Sequence, residues 1–396
     1  MRYGSASVIS GCLSLWPYAV LMSGTRELRS LTALRGVAAM AVVMQHFSAT
    51  AQEHSSAAIP SLVPHGYIAV DLFFALSGFI MSYTYLELFR REGARAYGGF
   101  LVKRAARIVP LNLAVLALFM LAGAASVALL DRNIIFASRN LAADLPANAL
   151  MLQGLGVGQN LNGPSWSISV EFAAYLCFPA LVAVAFHRRA AVATGALLAC
   201  VALLCLLAAP QPRLGVGAEG VGQGLLRCFT EFTLGMLAYR LLRSGRIAAL
   251  GRNGTVAALA ASCAMLMLLR VDLPTVLMFP LLIAALAANE EGTPGGGRAA
   301  RLLSHPWLHF LGVVSFSTYL LHQLFRPTEL VLLRAMHPES LDMPGALLFA
   351  LAGSFSVLPF AWLAYHGVER PGRTFVQQAF RRKATPAIKP LAAGSS

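Results

Sequence analysis

The sequence predicts an all-α membrane bundle of about ten transmembrane helices. Three observations carry this. Of 396 residues, 57% are hydrophobic and only 12% charged, about half the charge of a soluble domain. Apolar stretches of about 20 residues recur along the chain, the length a helix needs to cross a bilayer core of about 30 Å with its backbone satisfied internally. The basic residues alternate between crowded and sparse segments. Collagen and coiled coil are excluded, because glycine has no triplet period and no heptad pattern is sustained.

The ten stretches are 31–50, 67–88, 108–130, 166–186, 190–208, 225–242, 247–269, 273–289, 307–326 and 344–366. With the amino terminus on the cytoplasmic side, 23 of the 31 Lys and Arg residues fall on inner segments and 7 on outer ones, the latter including Arg132, Arg139, Arg213, Arg227 and Arg270. Such a bias orients membrane proteins and places both termini in the cytoplasm. The formal net charge of +14 is then a topology signal, so no nucleic-acid partner is expected. Residues 1–24 read as an amino-terminal extension, since the apolar run there lacks a convincing signal-peptide cleavage site. Between 131 and 165 an outer loop contains an apolar part, 141–152, that would re-enter the membrane or lie on its surface. The six cysteines lie scattered in apolar stretches with no CxxC or Cys/His pairing, which indicates neither disulfide framework nor metal site.

Ionisable groups inside spans are costly and are functional candidates by default. The first span carries Arg35 and His46. Eleven residues of helix turn back to within about 20° while rising about 16 Å, so both side chains face one way at different depths. Each also has a plainer reading: Arg35 as a cation snorkelling to the interface, His46 as a core histidine bonded to a carbonyl. Glu171 in "WSISVE", Asp71 in "GYIAVDLFFALSGF", Glu231, and Tyr319 with His322 in "SFSTYLLH" fall in the outer half of the bundle. Asp71 and Glu231 are equally read as interhelical ties. Together these groups suggest a hydrated outer cavity with acid/base capacity. At the inner face, Arg104 and Arg107 in "KRAARIVP" stand one helical turn apart and can address one phosphorylated group, or serve only the charge bias. There is no GxSxG, HExxH or phosphate loop.

In order, these elements resemble the acyltransferase-3 family of integral-membrane acyltransferases. The specific parts are Arg35 and His46 in R-x10-H, "VDLFFALSGF", the RxxR pair Arg104 and Arg107 followed by "IVP", "WSISVE", "SFSTYLLH" and a terminal "VERPGR", spread over about 31–373. The sequence departs from the pattern at Phe172 and Ala174, where the family usually has a second acidic residue and an aromatic. The resemblance divides the chain into the extension 1–24, an acyltransferase-3 membrane domain 25–376 and a basic cytoplasmic tail 377–396.

The resemblance implies O-acyl transfer, with acyl-CoA, most simply acetyl-CoA, as a co-substrate and no resident cofactor. The acceptor it implies is a sugar hydroxyl of an exported or cell-surface glycan such as lipopolysaccharide, and the location a bacterial inner membrane. On that basis Arg35, Arg104 and Arg107 would hold the acyl-CoA and His46 would act as general base. Glu171 would orient His46, with Asp71, Tyr319 and His322 at the acceptor or oxyanion. Two other functions fit the charges: a transporter or flippase for a lipid-linked sugar or small solute, and an acylase of a small glycosylated molecule entering from the inner mouth. Oligomeric state is left open by the sequence.

Overall fold

A computed structural model describes residues 26–384 apart from 56–62, 64, 132–134, 137–139, 210–213, 215–220, 293–295 and 337–340. The extension 1–24 and the tail beyond 384 therefore lie outside the described residues. All ten apolar stretches are helical. The long elements are α1 (Arg29–Glu53), α2 (Ala69–Glu92), α3 (Arg95–Leu130), α4 (Leu141–Ala149), α5 (Ser165–Leu176), α6 (Phe178–Ala185) and α7 (Ala190–Ala208). They continue with α8 (Val221–Arg243), α9 (Asn253–Leu268), α10 (Asp272–Glu291), α11 (Arg298–Leu303), α12 (Pro306–Met336), α13 (Met343–Ala364) and α14 (Arg370–Ala384). No strand occurs among the described residues, and an isolated bridge joins Ser55 to Leu341.

The expected count of ten spans does not follow from the helices themselves. Among the described residues, six are long and apolar enough to cross a membrane, and the pair α5–α6 makes a seventh. Of the others, α1 carries Arg35 and His46, α8 carries Arg227 and Glu231, and α9 has only 16 residues. Polar side chains buried by neighbours rather than facing lipid lower the apolarity of α1 and α8. The span expected at 166–186 is bent by 66° between α5 and α6, where Pro179 at the start of α6 removes a backbone donor. The third span begins earlier than expected: α3 runs 36 residues from Arg95, so Arg104 and Arg107 are carried on the helix. The apolar part of the 131–165 loop forms α4, which docks on protein. Asn112 Nδ2 donates to the Asn148 carbonyl at 3.1 Å, and Asn148 Oδ1 accepts from the Leu161 amide at 3.0 Å.

Two crossings set the centre of the bundle. The packing of α1 on α12 is the most extensive between any two elements, followed by α2 on α8. A Cβ at Gly36 would overlap the Gly312 backbone, and one at Gly312 would overlap the Thr32 carbonyl; Gly78 and Gly235 play the same part between α2 and α8. Small residues let membrane helices approach backbone to backbone, and here the first contact brings Arg35 and His46 against α12. Gly36→Val is expected to cost about 1–3 kcal/mol by overpacking and to lower the thermal midpoint in detergent. Gly98→Ala, where a Cβ meets open space, is the matched control. The amphipathic α14 continues α13 through a widened helical turn at Tyr365–Glu369 and packs against α3.

Candidate active site

Two cavities lie between these helices. The larger, about 440 Å³, is lined by Arg26, Glu27, Arg35, Arg104, Arg107, Glu171, Tyr175, Tyr319 and Arg373 among others. Five guanidinium groups against two carboxylates make it electropositive, which suits a polyanion. The smaller, about 230 Å³, is lined by His46, Tyr67, Trp166, Arg227, Tyr319 and Gln323, with Val42, Val70, Gly163 and Pro164. Tyr319 is the single residue common to both linings.

In the larger cavity three of the guanidiniums are aimed by partners of their own. Arg35 donates from Nε to Ser315 Oγ at 2.9 Å and from Nη2 to the Gly312 carbonyl at 2.8 Å; it is fixed to α12 rather than snorkelling. Arg104 donates to the Tyr85 hydroxyl at 2.8 Å and lies over the Tyr85 and Tyr175 rings, leaving its buried Nε unpartnered. Arg107 pairs with Glu369, which is 1% exposed and also accepts from Ser317 Oγ at 2.8 Å. At the mouth, burial alone would push the Glu27 carboxyl up, but hydrogen bonds with His309 and Thr32 hold it below its ordinary value.

In the smaller cavity the hydrogen bonds determine which imidazole nitrogen is basic. The Tyr319 carbonyl lies 2.8 Å from His322 Nδ1. A carbonyl only accepts, so that nitrogen carries the proton and Nε2 of a neutral His322 has the lone pair. His322 Nε2 lies 2.9 Å from His46 Nδ1, which must then donate. The ring planes are nearly parallel, 15° apart. His46 is left with a lone pair on Nε2, the form a general base needs. His322 is fully buried and holds the tautomer, a part played by carboxylates in other histidine sites. This tautomer assignment follows from the network of partners.

The expected partnership of Glu171 with His46 is therefore corrected. Glu171 lies in the larger cavity and accepts from the Tyr175 hydroxyl at 2.5 Å, while α12 supplies the partner of His46. The reason is the close α1–α12 crossing, which puts two histidines 276 positions apart side by side. Of its two expected roles, Asp71 takes the tie and not the acceptor site: it lines neither cavity and takes Arg227 Nη2 at 2.6 Å and Nε at 3.1 Å on one oxygen. It acts as an interhelical tie between α2 and α8. Arg227, counted above among outer-segment cations, is 2% exposed inside α8, because Asp71 compensates its charge. Tyr319 does stand at the site, its hydroxyl 2.8 Å from Ser167 Oγ and its ring edge-on to Phe73. The guanidiniums and His46 thus line different cavities, with Tyr319 in the lining of both. Sequence reasoning missed the roles of Arg227 and Glu369. Glu231 one turn after Arg227 in an apolar stretch, and the acid in "VERPGR", were the signals. Among the described residues no cluster of three or more His, Cys, Asp or Glu could hold a metal ion.

Residues 28–366 match the acyltransferase domain family Acyl_transf_3. The chain is 29% identical over 317 residues to the acyltransferase MdmB of Streptomyces mycarofaciens, covering 75% of this chain and 78% of that protein. It is 41% identical over 88 residues to protein 2 in the picA locus of Rhizobium radiobacter, 22% of this chain and 41% of that one. No solved structure matches. The family covers both helix crossings and every residue that aims the two cavities except Arg26, Glu27, Glu369 and Arg373, and the protein belongs to the acyltransferase-3 family of membrane acyltransferases.

Proposed function

We propose that the protein transfers an acyl group, most simply acetyl, from cytoplasmic acyl-CoA to a sugar hydroxyl of an exported glycan at a bacterial inner membrane. The observation that carries this is the pairing of an electropositive cavity with a separate cavity holding a tautomer-locked histidine, joined through Tyr319. Positive residues concentrate on the cytoplasmic side, which orients the larger cavity inward. Its guanidiniums take the CoA phosphates, with charge-assisted bonds about twice as strong as neutral ones, and the thioester reaches toward Tyr319. The sugar enters the smaller cavity from the other side.

In the chemical step His46 Nε2 removes the proton of the sugar hydroxyl as its oxygen attacks the thioester carbonyl carbon. The Nδ1–H bond to His322 steadies the resulting imidazolium. The tetrahedral adduct then expels the CoA thiolate by breaking the carbon–sulfur bond. The His46 Nε2 proton passes to that sulfur, giving CoA thiol and the sugar ester. Glu171 does not touch the base on this route; with Tyr175 it braces the donor cavity beside Arg104.

Surface glycans from cells lacking and regaining the gene are compared by mass spectrometry, with free CoA thiol measured in membranes supplied with acetyl-CoA. An ester increment that is lost in mild base, accompanied by acceptor-dependent thiol release, is the expected result. Transport of a sugar without thioester consumption defeats the proposal. Donor binding has its own check. Arg104→Gln, and Arg107→Gln made together with Glu369→Gln so that no buried carboxylate is orphaned, should each raise the KM for acetyl-CoA by about tenfold or more, the loss of one bond to a charged group. The glycan KM should stay within about twofold, since those side chains are absent from the smaller cavity and distant sites act independently.

A further inference from the structure

The wall of the smaller cavity carries a hydrogen-bond donor that the reaction above leaves unused. Gln323 follows Tyr319 by four residues on α12, so the two side chains share one helix face, about 6 Å apart along the axis. Val313, Ser315 and Phe316 of that helix line the larger cavity, Tyr319 lines both, and Gln323 lines the smaller alone. It stands one turn past the shared tyrosine, on the side away from the guanidiniums. The same order holds on α1, with Arg35 in the larger lining and His46 in the smaller. Gln323 and His46 therefore border the space that the acyl-transfer proposal gives to the sugar.

The neighbours of Gln323 determine which end of its amide is left for a ligand. Arg326 Nη1 lies 3.3 Å from one amide atom. A guanidinium only donates, so that atom is the carbonyl oxygen. Arg326 is itself held by Thr50 Oγ1 at 2.7 Å and lies 3.9 Å from the Glu53 carboxylate. The amide nitrogen sits beside Gly163 of the same cavity wall, where a Cβ would come within 3.1 Å of it; the glycine leaves it uncovered. Among the described residues Nε2 has no hydrogen-bond partner, and it is not sealed inside protein. Two N–H groups are thus open to whatever enters. We propose that Gln323 Nε2 donates to a second oxygen of the acceptor sugar, fixing which hydroxyl of the ring faces His46 Nε2. The thioester oxygen is the poorer partner, because it arrives from the larger cavity, one turn short of Gln323. This deepens the acyl-transfer function proposed above and rests on it, and makes Gln323 a specificity-determining residue of the acceptor site.

The test uses membranes containing the full chain, acetyl-CoA, and the unacylated glycan extracted from cells lacking the gene. Gln323→Met keeps the length of the side chain without its N–H groups, and Gln323→Leu is a second variant that lacks them. Each should raise the glycan KM by about tenfold and leave the acetyl-CoA KM within about twofold. Mapping of the product by nuclear magnetic resonance should show acyl groups spread over more than one hydroxyl, a change that a merely structural role would not produce. An unchanged glycan KM with acylation confined to the parent's hydroxyl overturns the proposal. So does a fall in kcat alone, which would put the amide at the thioester oxygen instead of the sugar. Failure of both variants to accumulate assigns Gln323 to the scaffold and also overturns it. If the parent releases no thiol with this glycan, the acyl-transfer function itself has failed, a result distinct from these.

Discussion

His46→Ala is expected to lower acyl transfer by about 10²–10⁴-fold, the contribution of a positioned general base, while the protein still inserts and accumulates. The variant removes the one lone pair in the smaller cavity whose tautomer is locked by a chain of bonds, from the Tyr319 carbonyl through His322 to His46 Nδ1. His322→Leu should reduce the rate by less, because His46 remains but both tautomers are populated, in the way loss of an orienting group acts in other histidine sites. The measurement is single-turnover ester formation with saturating acetyl-CoA and glycan, alongside yield by size-exclusion chromatography. Transfer by His46→Ala at the parent rate would exclude it as the base. Equal losses in the two variants would mean that His322 does chemistry of its own rather than holding a tautomer.

How much of this was legible in the sequence differs from residue to residue. The helical character of the bundle followed from apolar length, and the shared face of Arg35 and His46 followed from helical pitch, because both are local properties of one segment. The larger cavity was legible in the same way, since Arg104 and Arg107 sit one turn apart on α3. The partner of His46 was not. It depends on α1 meeting α12 at Gly36 and Gly312, a contact between segments that no periodicity records, so the motif acid Glu171 stands out in the sequence where the structure has His322. Arg227 was hidden by the counting of cations as loop charges, which assumes that a lone arginine outside the inner segments faces water; its neutralising Asp71 lies 156 positions away. Glu369 stood in plain view in the terminal motif, yet its pairing with Arg107 required the turn Tyr365–Glu369 to follow α13 as a widened helical turn. Such turns are often found at functional sites.

The second large effect is expected at Tyr319, where the two cavities of about 440 and 230 Å³ have their one residue in common. Tyr319 is 6% exposed and held by the Ser167 hydroxyl and the edge of Phe73, so in the proposed reaction its ring would stand between the thioester and the sugar. A closed site keeps water from reactive groups, and a transferase that loses its partition should leak thioester to water. Tyr319→Ala is expected to raise the ratio of acceptor-independent thiol release to ester formation by about tenfold or more, at a stability cost of about 3–5 kcal/mol. Tyr319→Phe keeps the ring, gives up only the hydroxyl's bonds with Ser167 and the Pro164 carbonyl, and should hold the ratio near that of the parent; Tyr319→Leu should fall between. Thiol release from acetyl-CoA with and without glycan, in membranes matched for the amount of folded protein, separates the series. A graded rise in leak with loss of ring volume means that the aromatic wall, and not the hydroxyl, directs the acyl group to sugar. A ratio that stays flat from Phe to Ala would mean the partition lies elsewhere, and that the thioester meets His46 by a route these two cavities do not define.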